Sequence, residues 1–212
     1  MITASVAMTN HLTTMCNAAG IPLVLFNRRQ DDARLSSVTS DNMAGGQRAA
    51  RHLIEAGHQR IAHIMGWQGS STGRDRAAGF SLATADAGMR HAEVVEGMSS
   101  RETARAVTLL LFAGPDHPDA VFVGNDHMAF AVMDTLRHEL GLRVPQDVSL
   151  VRYDDVPLAA WPSYDLTTIR QPVNRMVEAT VATLLNQIEG DTAPRQITID
   201  GPLILRGSVR KP

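Results

Sequence analysis

Cysteine and lysine are all but missing from this chain of 212 residues: Cys16 and Lys211 are the sole examples. A lone cysteine excludes an internal disulfide, and no Cys/His set has zinc-ligand spacing. Cys16 therefore reads as a small apolar residue on a helix face. A single lysine removes most lysine chemistry. Net charge is −2 and the pI is about 6.4, so there is no overall basic field of the kind that holds nucleic acid. No window approaches the roughly 20 apolar residues of a membrane span. The opening MITASVAMTNHL has no basic region leading into a long apolar one, so no signal peptide is expected and the expected location is cytoplasmic. Catalytic signatures are missing too. There is no G-x-S-x-G elbow and no G-x-x-x-x-G-K-S/T phosphate loop, and the Gly-rich GWQGSSTG (66–73) lacks G-x-G-x-x-G order. His52 and His58 have no evident third ligand and read as solvated or capping groups. Asp154 and Asp155 are neighbours in a strand pattern and so point to opposite faces, against a shared-proton dyad. No catalytic residue, metal site or cofactor is expected.

What is present is a globular composition, 44% apolar and 20% charged, enough for one compact domain or two small lobes. Strand and helix patterns alternate. MITAS (1–5) reads as a strand, 7–18 as a helix with Met8, Leu12, Met15 and Cys16 at helical spacing, and IPLVLFN (21–27) as a buried strand. SSVTS (36–40) is a short strand, after which Asp41 or Asn42 caps a helix running to about Ala56. Further strands are expected at 60–66, 92–97, 118–126, 147–155 and 166–172. GSSTGRDR (69–76) reads as a loop running into a helix through Phe80 and Ala83. Helices are expected at 101–113 (Ala104, Val107, Leu110 and Leu111 inward), 127–140 and 173–188 (Met176, Ala179, Val181, Leu184 and Leu185). One or two strands close the pattern at 195–208. Repeated β-α units with continuous apolar strands predict a doubly wound α/β fold with parallel sheet.

Ligands in such folds bind beyond the carboxyl ends of the strands. Those exits are polar here: Asn27-Arg28, Thr39-Ser40-Asp41, Gly66–Thr72, Gly97-Met98, Asn125-Asp126 and Tyr153-Asp154-Asp155. Asp41, Arg74, Arg76 and Asp126 lie at or just past them. Carboxylates and guanidinium groups suit a hydroxyl-rich ligand, because each makes paired hydrogen bonds. The residues alone leave two roles open for Asp126, helix cap and ligand acceptor.

Four blocks carry a family resemblance: SSVTSDNMAGGQRAARHLIEAGHQRIAHIMG (36–66), SSTGRDRAAGF (70–80), PDAVFVGNDHMAFAVMDTLRHELGLRVPQDVSLVRYDD (118–155) and LTTIRQPVNRMVEAT (166–180). In order and spacing they resemble the effector-binding core of the lactose-repressor/galactose-repressor family (LacI/GalR), across nearly the whole chain. The resemblance implies a periplasmic-binding-protein-like type I fold: two Rossmann-like lobes with parallel sheets, joined by three crossovers, with a sugar-like effector in the cleft. It implies a first lobe of residues 1–46 plus 165–190, incomplete at its start, and a second of 47–164 plus 191–212. The family's N-terminal helix-turn-helix is absent, so DNA is a partner only through that missing domain. A homodimer and no membrane partner are implied.

On matching positions, Asp126 takes ligand hydroxyls and Arg76 clamps the ligand. Asp41 and Gln171 are cleft residues, Met98 packs on the ligand, and Ser70 and Thr72 add polar contacts. The family's usual glycine before Tyr-Asp-Asp is Arg152 here. The expected function is the effector-binding and dimerisation domain of a bacterial transcriptional regulator that is not an enzyme. The alternatives are a sugar-binding protein of a transport system and an enzyme on the same scaffold.

Overall fold

The structure is a computed structural model that describes residues 1–4, 7, 8 and 11–211, and of Leu12 the backbone alone. The expected first strand and first helix extend into residues 5, 9 and 10, which lie outside that range, as does the side chain of Leu12.

Two sheets form. The first has the order β1 (Ile2–Ala4), β2 (Val24–Phe26), β3 (Ser36–Ser40), β9 (Gln196–Ile199), all parallel. The second runs β10 (Leu203–Ile204), β8 (Thr167–Arg170), β7 (Ser149–Asp154), β6 (Ala120–Val123), β4 (Arg60–Met65), β5 (His91–Glu96). It is parallel except for β10, which pairs antiparallel with β8 at the edge. The helices are α1 (His11–Ala18), α2 (Asn42–Glu55), α3 (Ser71–Asp86), α4 (Arg101–Leu111), α5 (Asp126–Asp134) and α6 (Val173–Ile188). A π-helical turn, Thr135–Glu139, extends α5. The backbone passes between the sheets three times: after β3, between β8 and α6, and between β9 and β10.

The two-residue period of a strand sends alternate side chains to opposite faces, and the inner strands β3, β6 and β7 are covered on both. In β6, Val121 and Val123 join Ala104, Met128, Val132 and Leu136 of α4, α5 and the turn after it. Ala120 and Phe122 point the other way, into a core with Ala49 and Leu53 of α2 and Phe80 and Ala83 of α3. In the first sheet Leu25 packs with Cys16 of α1, whereas Val24 and Val38 pack with Met176 of α6. Each such large apolar side chain, fully enclosed, contributes about 1.5–3 kcal/mol. Glycine allows α2 and α3 to touch closely. A Cβ on Gly46 would stand 2.2 Å from the Arg76 carbonyl oxygen, and one on Gly79 would stand 2.1 Å from that of Met43.

Several local expectations are corrected. Sheet membership departs from the expected lobe division in two places: β8 belongs to the second sheet and β9 to the first. α3 begins at Ser71, inside the stretch read as a loop, because the Ser70 hydroxyl accepts the Gly73 N–H as a cap. Leu110 is 78% exposed, and Val181 and Leu185 of α6 face outward as well, since α4 and α6 each cover a sheet with one stripe only. His58 is buried beside Asp119 instead of solvated, and burial holds its pKa below the ordinary value.

Candidate functional site

The carboxyl ends of the strands of both sheets open onto one cleft of about 410 Å³. Its walls come from the exits of β2 (Asn27, Arg28), β4 (Gly66), β6 (Gly124 to His127), β7 (Asp154, Val156) and β8 (Gln171), with Ser70, Thr72 and Arg76 from α3. The backbone bends sharply at several of these exits. Asn27, Met98, Ser99, Asp154 and Asp155 all have positive φ, between 54° and 107°. Such angles are uncommon outside glycine and gather where a loop is held against its preference.

Asn125 and Asp126 divide their work. Asn125 is the cap of α5, its side-chain oxygen accepting the Met128 N–H at 2.9 Å. That leaves the Asp126 carboxylate for other partners, at the positive end of the helix dipole. One oxygen accepts the Val156 N–H at 2.6 Å, and the other contacts the guanidinium of Arg152. Arg76 is fixed from several sides. Its Nε donates to Asn42 Oδ1 at 2.8 Å, Nη1 donates to the Gly124 carbonyl, and Nη2 lies 3.4 Å from Asp154. Its guanidinium also stacks 3.6 Å from the centre of the Tyr153 ring. Tyr153 in turn shares a 2.9 Å hydrogen bond with Ser40, which ties β7 to the end of β3. Arg28 has its pKa lowered by burial and by the nearby charge of Arg76.

Five of the seven residues expected at the site come together here: Asp126, Arg76, Gln171, Ser70 and Thr72. Gln171 Nε2 donates to Asp154, and the Ser70 and Thr72 hydroxyls lie 3.2 Å apart. The other two stand elsewhere. Asp41 caps α2, its carboxylate accepting the Ala44 N–H at 2.9 Å, and it is Asn42 that reaches Arg76. Met98 is 49% exposed on the bend after β5, and the next residue, Ser99, lines the cleft instead. Asp154 also lines it. The backbone leaves the strand at positive φ there, sending Asp154 toward Arg76 and Asp155 toward Arg152, Arg170 and Arg206.

Two ion pairs bridge the cleft mouth, from the loop after β2 to the start of α3. Arg29 Nη2 lies 3.2 Å from Asp75, and Arg74 pairs with Asp31. The Arg29 N–H also donates to Ser71 Oγ at 2.9 Å. Among the described residues, no group of three or more His, Cys, Asp or Glu side chains could hold a metal. No helix among them is long and apolar enough to cross a membrane.

The periplasmic binding protein-like domain family matches residues 50–209. The probable HTH-type transcriptional repressor ExuR of Bacillus subtilis is 32% identical over 90% of this chain, which spans 58% of that relative. The chain thus covers less than two thirds of the length of the curated relatives it matches. The crystal structure of a LacI transcriptional regulator from a Rhodococcus species superposes with a TM-score of 0.90 at 33% identity, over 98% of this chain and 76% of that one. A complex of the transcriptional regulator CelR with cellobiose also gives 0.90, at 34% identity, over 98% and 64%. These relatives are named as regulators of transcription, not as enzymes or transport proteins. With its two mainly parallel sheets, three passages between them and a cleft at the strand exits, the chain belongs to the periplasmic-binding-protein-like domain family, among the LacI transcriptional regulators.

Proposed function

We propose that this chain is the effector-binding and dimerisation part of a bacterial transcriptional regulator, and that its effector is a sugar or sugar derivative held in the cleft. The observation that carries this reading is the cleft itself. Its 410 Å³ matches a small polar molecule, and hydroxyl, amide, carboxylate and guanidinium groups converge on it from both sheets. The CelR–cellobiose complex supports a sugar-like ligand in a related protein.

In this reading each sheet with its helices is one lobe, and Asp126, Arg76, Gln171, Ser70 and Thr72 contact the effector. Asp41 and Met98 support the cleft from outside: one anchors the start of α2, the other shapes the bend that presents Ser99. The effector acts by binding one arrangement of the lobes better than another, since only differential affinity shifts an equilibrium. A homodimer transmits the shift, and DNA is reached through a segment of the whole regulator other than this chain. A cytoplasmic location goes with that role.

A thermal-shift screen against neutral sugars, sugar acids, sugar phosphates and purines tests this. A native-state ligand at a hundredfold excess over its Kd adds about 2.7 kcal/mol, and so raises the midpoint by roughly 5–10 °C. The shift should shrink in Gln171→Ala, which removes an amide from the cleft wall and leaves the buried ion pairs in place. A cooperative melt that no compound moves would overturn the proposal.

A further inference from the structure

The effector reading leaves Arg152 unused. It stands inside β7, in the otherwise uncharged run Ser149-Leu150-Val151-Arg152-Tyr153, and has 0% exposure. Burial draws its pKa down to about 10. An arginine is retained in such a place only when acids hold it there. Two do. Asp155 lies 3.5 Å from its Nη2, and Asp126 meets its Nη1.

The consequence falls on Asp126. One carboxylate oxygen accepts the Val156 N–H and the other lies against the Arg152 guanidinium, so both face protein groups. The charge that would draw ligand hydroxyls is cancelled from behind. Asp154, the other acid lining the cleft, is shared between Arg76 and Gln171. Arg28 and Arg76 balance the two lining acids, and behind them Arg152, Arg170 and Arg206 face the carboxylate of Asp155, so the whole set carries more positive than negative charge. A neutral polyol therefore meets Asp126 with its charge balanced by Arg152, and Asp154 with one oxygen already engaged. An anion finds a net cationic wall whose guanidinium groups favour charge-assisted hydrogen bonds.

We propose that Arg152 is a specificity-determining residue. By occupying Asp126 it sets the cleft for an effector with an anionic group, a carboxylate or phosphate on a sugar-sized frame, in preference to the neutral sugar of the same shape. This rests on the effector-cleft reading above.

Calorimetric titration of the 212-residue chain tests it. The neutral probes are D-glucose, D-galactose and cellobiose, and the anionic probes are D-glucuronate, D-galacturonate and glucose 6-phosphate. The expected result is that at least one anionic probe binds about tenfold or more tighter than its neutral parent. The carboxylate and phosphate arms identify which anion. Arg152→Gly and Arg152→Gln should each reduce that ratio by about tenfold, in samples whose circular dichroism melts show a folded chain. The wild-type ratio stands by itself if one variant fails to fold.

A neutral parent that binds as tightly as its acid overturns this inference and leaves the effector cleft standing. An unchanged ratio in a folded Arg152 variant overturns the assignment to Arg152. No binding by any of the six probes at millimolar concentration overturns the cleft reading together with this one.

Discussion

Asp126→Ala should destabilise this protein far more than an ordinary cleft substitution. Arg152 has no accessible surface, and the Asp126 side chain is 6% exposed. Removing the carboxylate leaves a buried guanidinium with Asp155 at 3.5 Å as its remaining acid, and it strips the Val156 N–H of its acceptor. Breaking one side of a buried pair costs about 3–5 kcal/mol. For a chain of this length that lowers the melting midpoint by roughly 6–20 °C. Arg152→Met removes the buried cation instead. It leaves Asp126 hydrogen-bonded to Val156 and Asp155 paired with Arg170 and Arg206, so its cost is smaller, about 1–3 kcal/mol. Because the two groups answer each other, the double variant should cost at least about 1 kcal/mol less than the sum of the singles. Urea unfolding followed by circular dichroism at pH 7 measures all four proteins of the cycle. Additivity within about 0.5 kcal/mol, or an Asp126→Ala cost below about 1 kcal/mol, would refute the coupling.

His63 is fully enclosed, stacked on Phe122 with centroids 4.3 Å apart, and burial draws its pKa from 6.5 to about 4. The native state therefore keeps it neutral while the unfolded chain takes up a proton. Its contribution is complete above pH 6.5 and is lost as pH falls toward 4, by roughly 3 kcal/mol in all. Comparing wild type with His63→Gln from pH 7 to 4 should show that difference closing, and a pH-independent difference would disprove it. Gly46→Ala places a methyl against the Arg76 carbonyl oxygen and should cost about 1–3 kcal/mol, read as a lower urea midpoint; an unchanged midpoint would mean that α2 and α3 separate freely. Replacing both Arg29 and Arg74 by alanine removes the ion pairs across the cleft mouth. Small-angle scattering should then report a larger radius of gyration, and an identical radius would show that these pairs do not hold the lobes together.

How much of this was legible in the sequence depended on the range of the physics involved. The boundary at Ser40-Asp41 could be read because a strand of β-branched character meets a capping side chain there, and both signals are local. The position of α3 was obscured by Gly69, Ser70, Ser71 and Gly73, whose composition favours a loop; one serine cap and the close approach to α2 override it. Sheet membership of β8 and β9 was out of reach, since it depends on where the backbone crosses, not on any nearby residue. At the site, Asp126 and Arg76 were found through their places beside strand exits and their family match. Asn42 was overlooked because Asp41, its neighbour, is the stronger polar candidate. Burial of Arg152 had a signal after all: an arginine inside the continuous strand Ser149–Asp154 has no solvent-facing side to escape to.

The order in which the strands enter the sheets has a consequence for how the chain assembles. Five strands of the second sheet, β4 to β8, lie between residues 60 and 170, so they can pair as they leave the ribosome. The first sheet is different. Ser37 pairs with Gln196, and α6, which covers Val24 and Val38, arrives only after β8. Closing so long a loop is slow, because its entropy must be lost before the contact gives anything back. During synthesis β3 therefore waits with one edge open and its apolar face uncovered, while the second sheet is already folding. The nascent chain is most vulnerable to proteases and to strand exchange in that interval, and the arrival of residues 173–199 ends it.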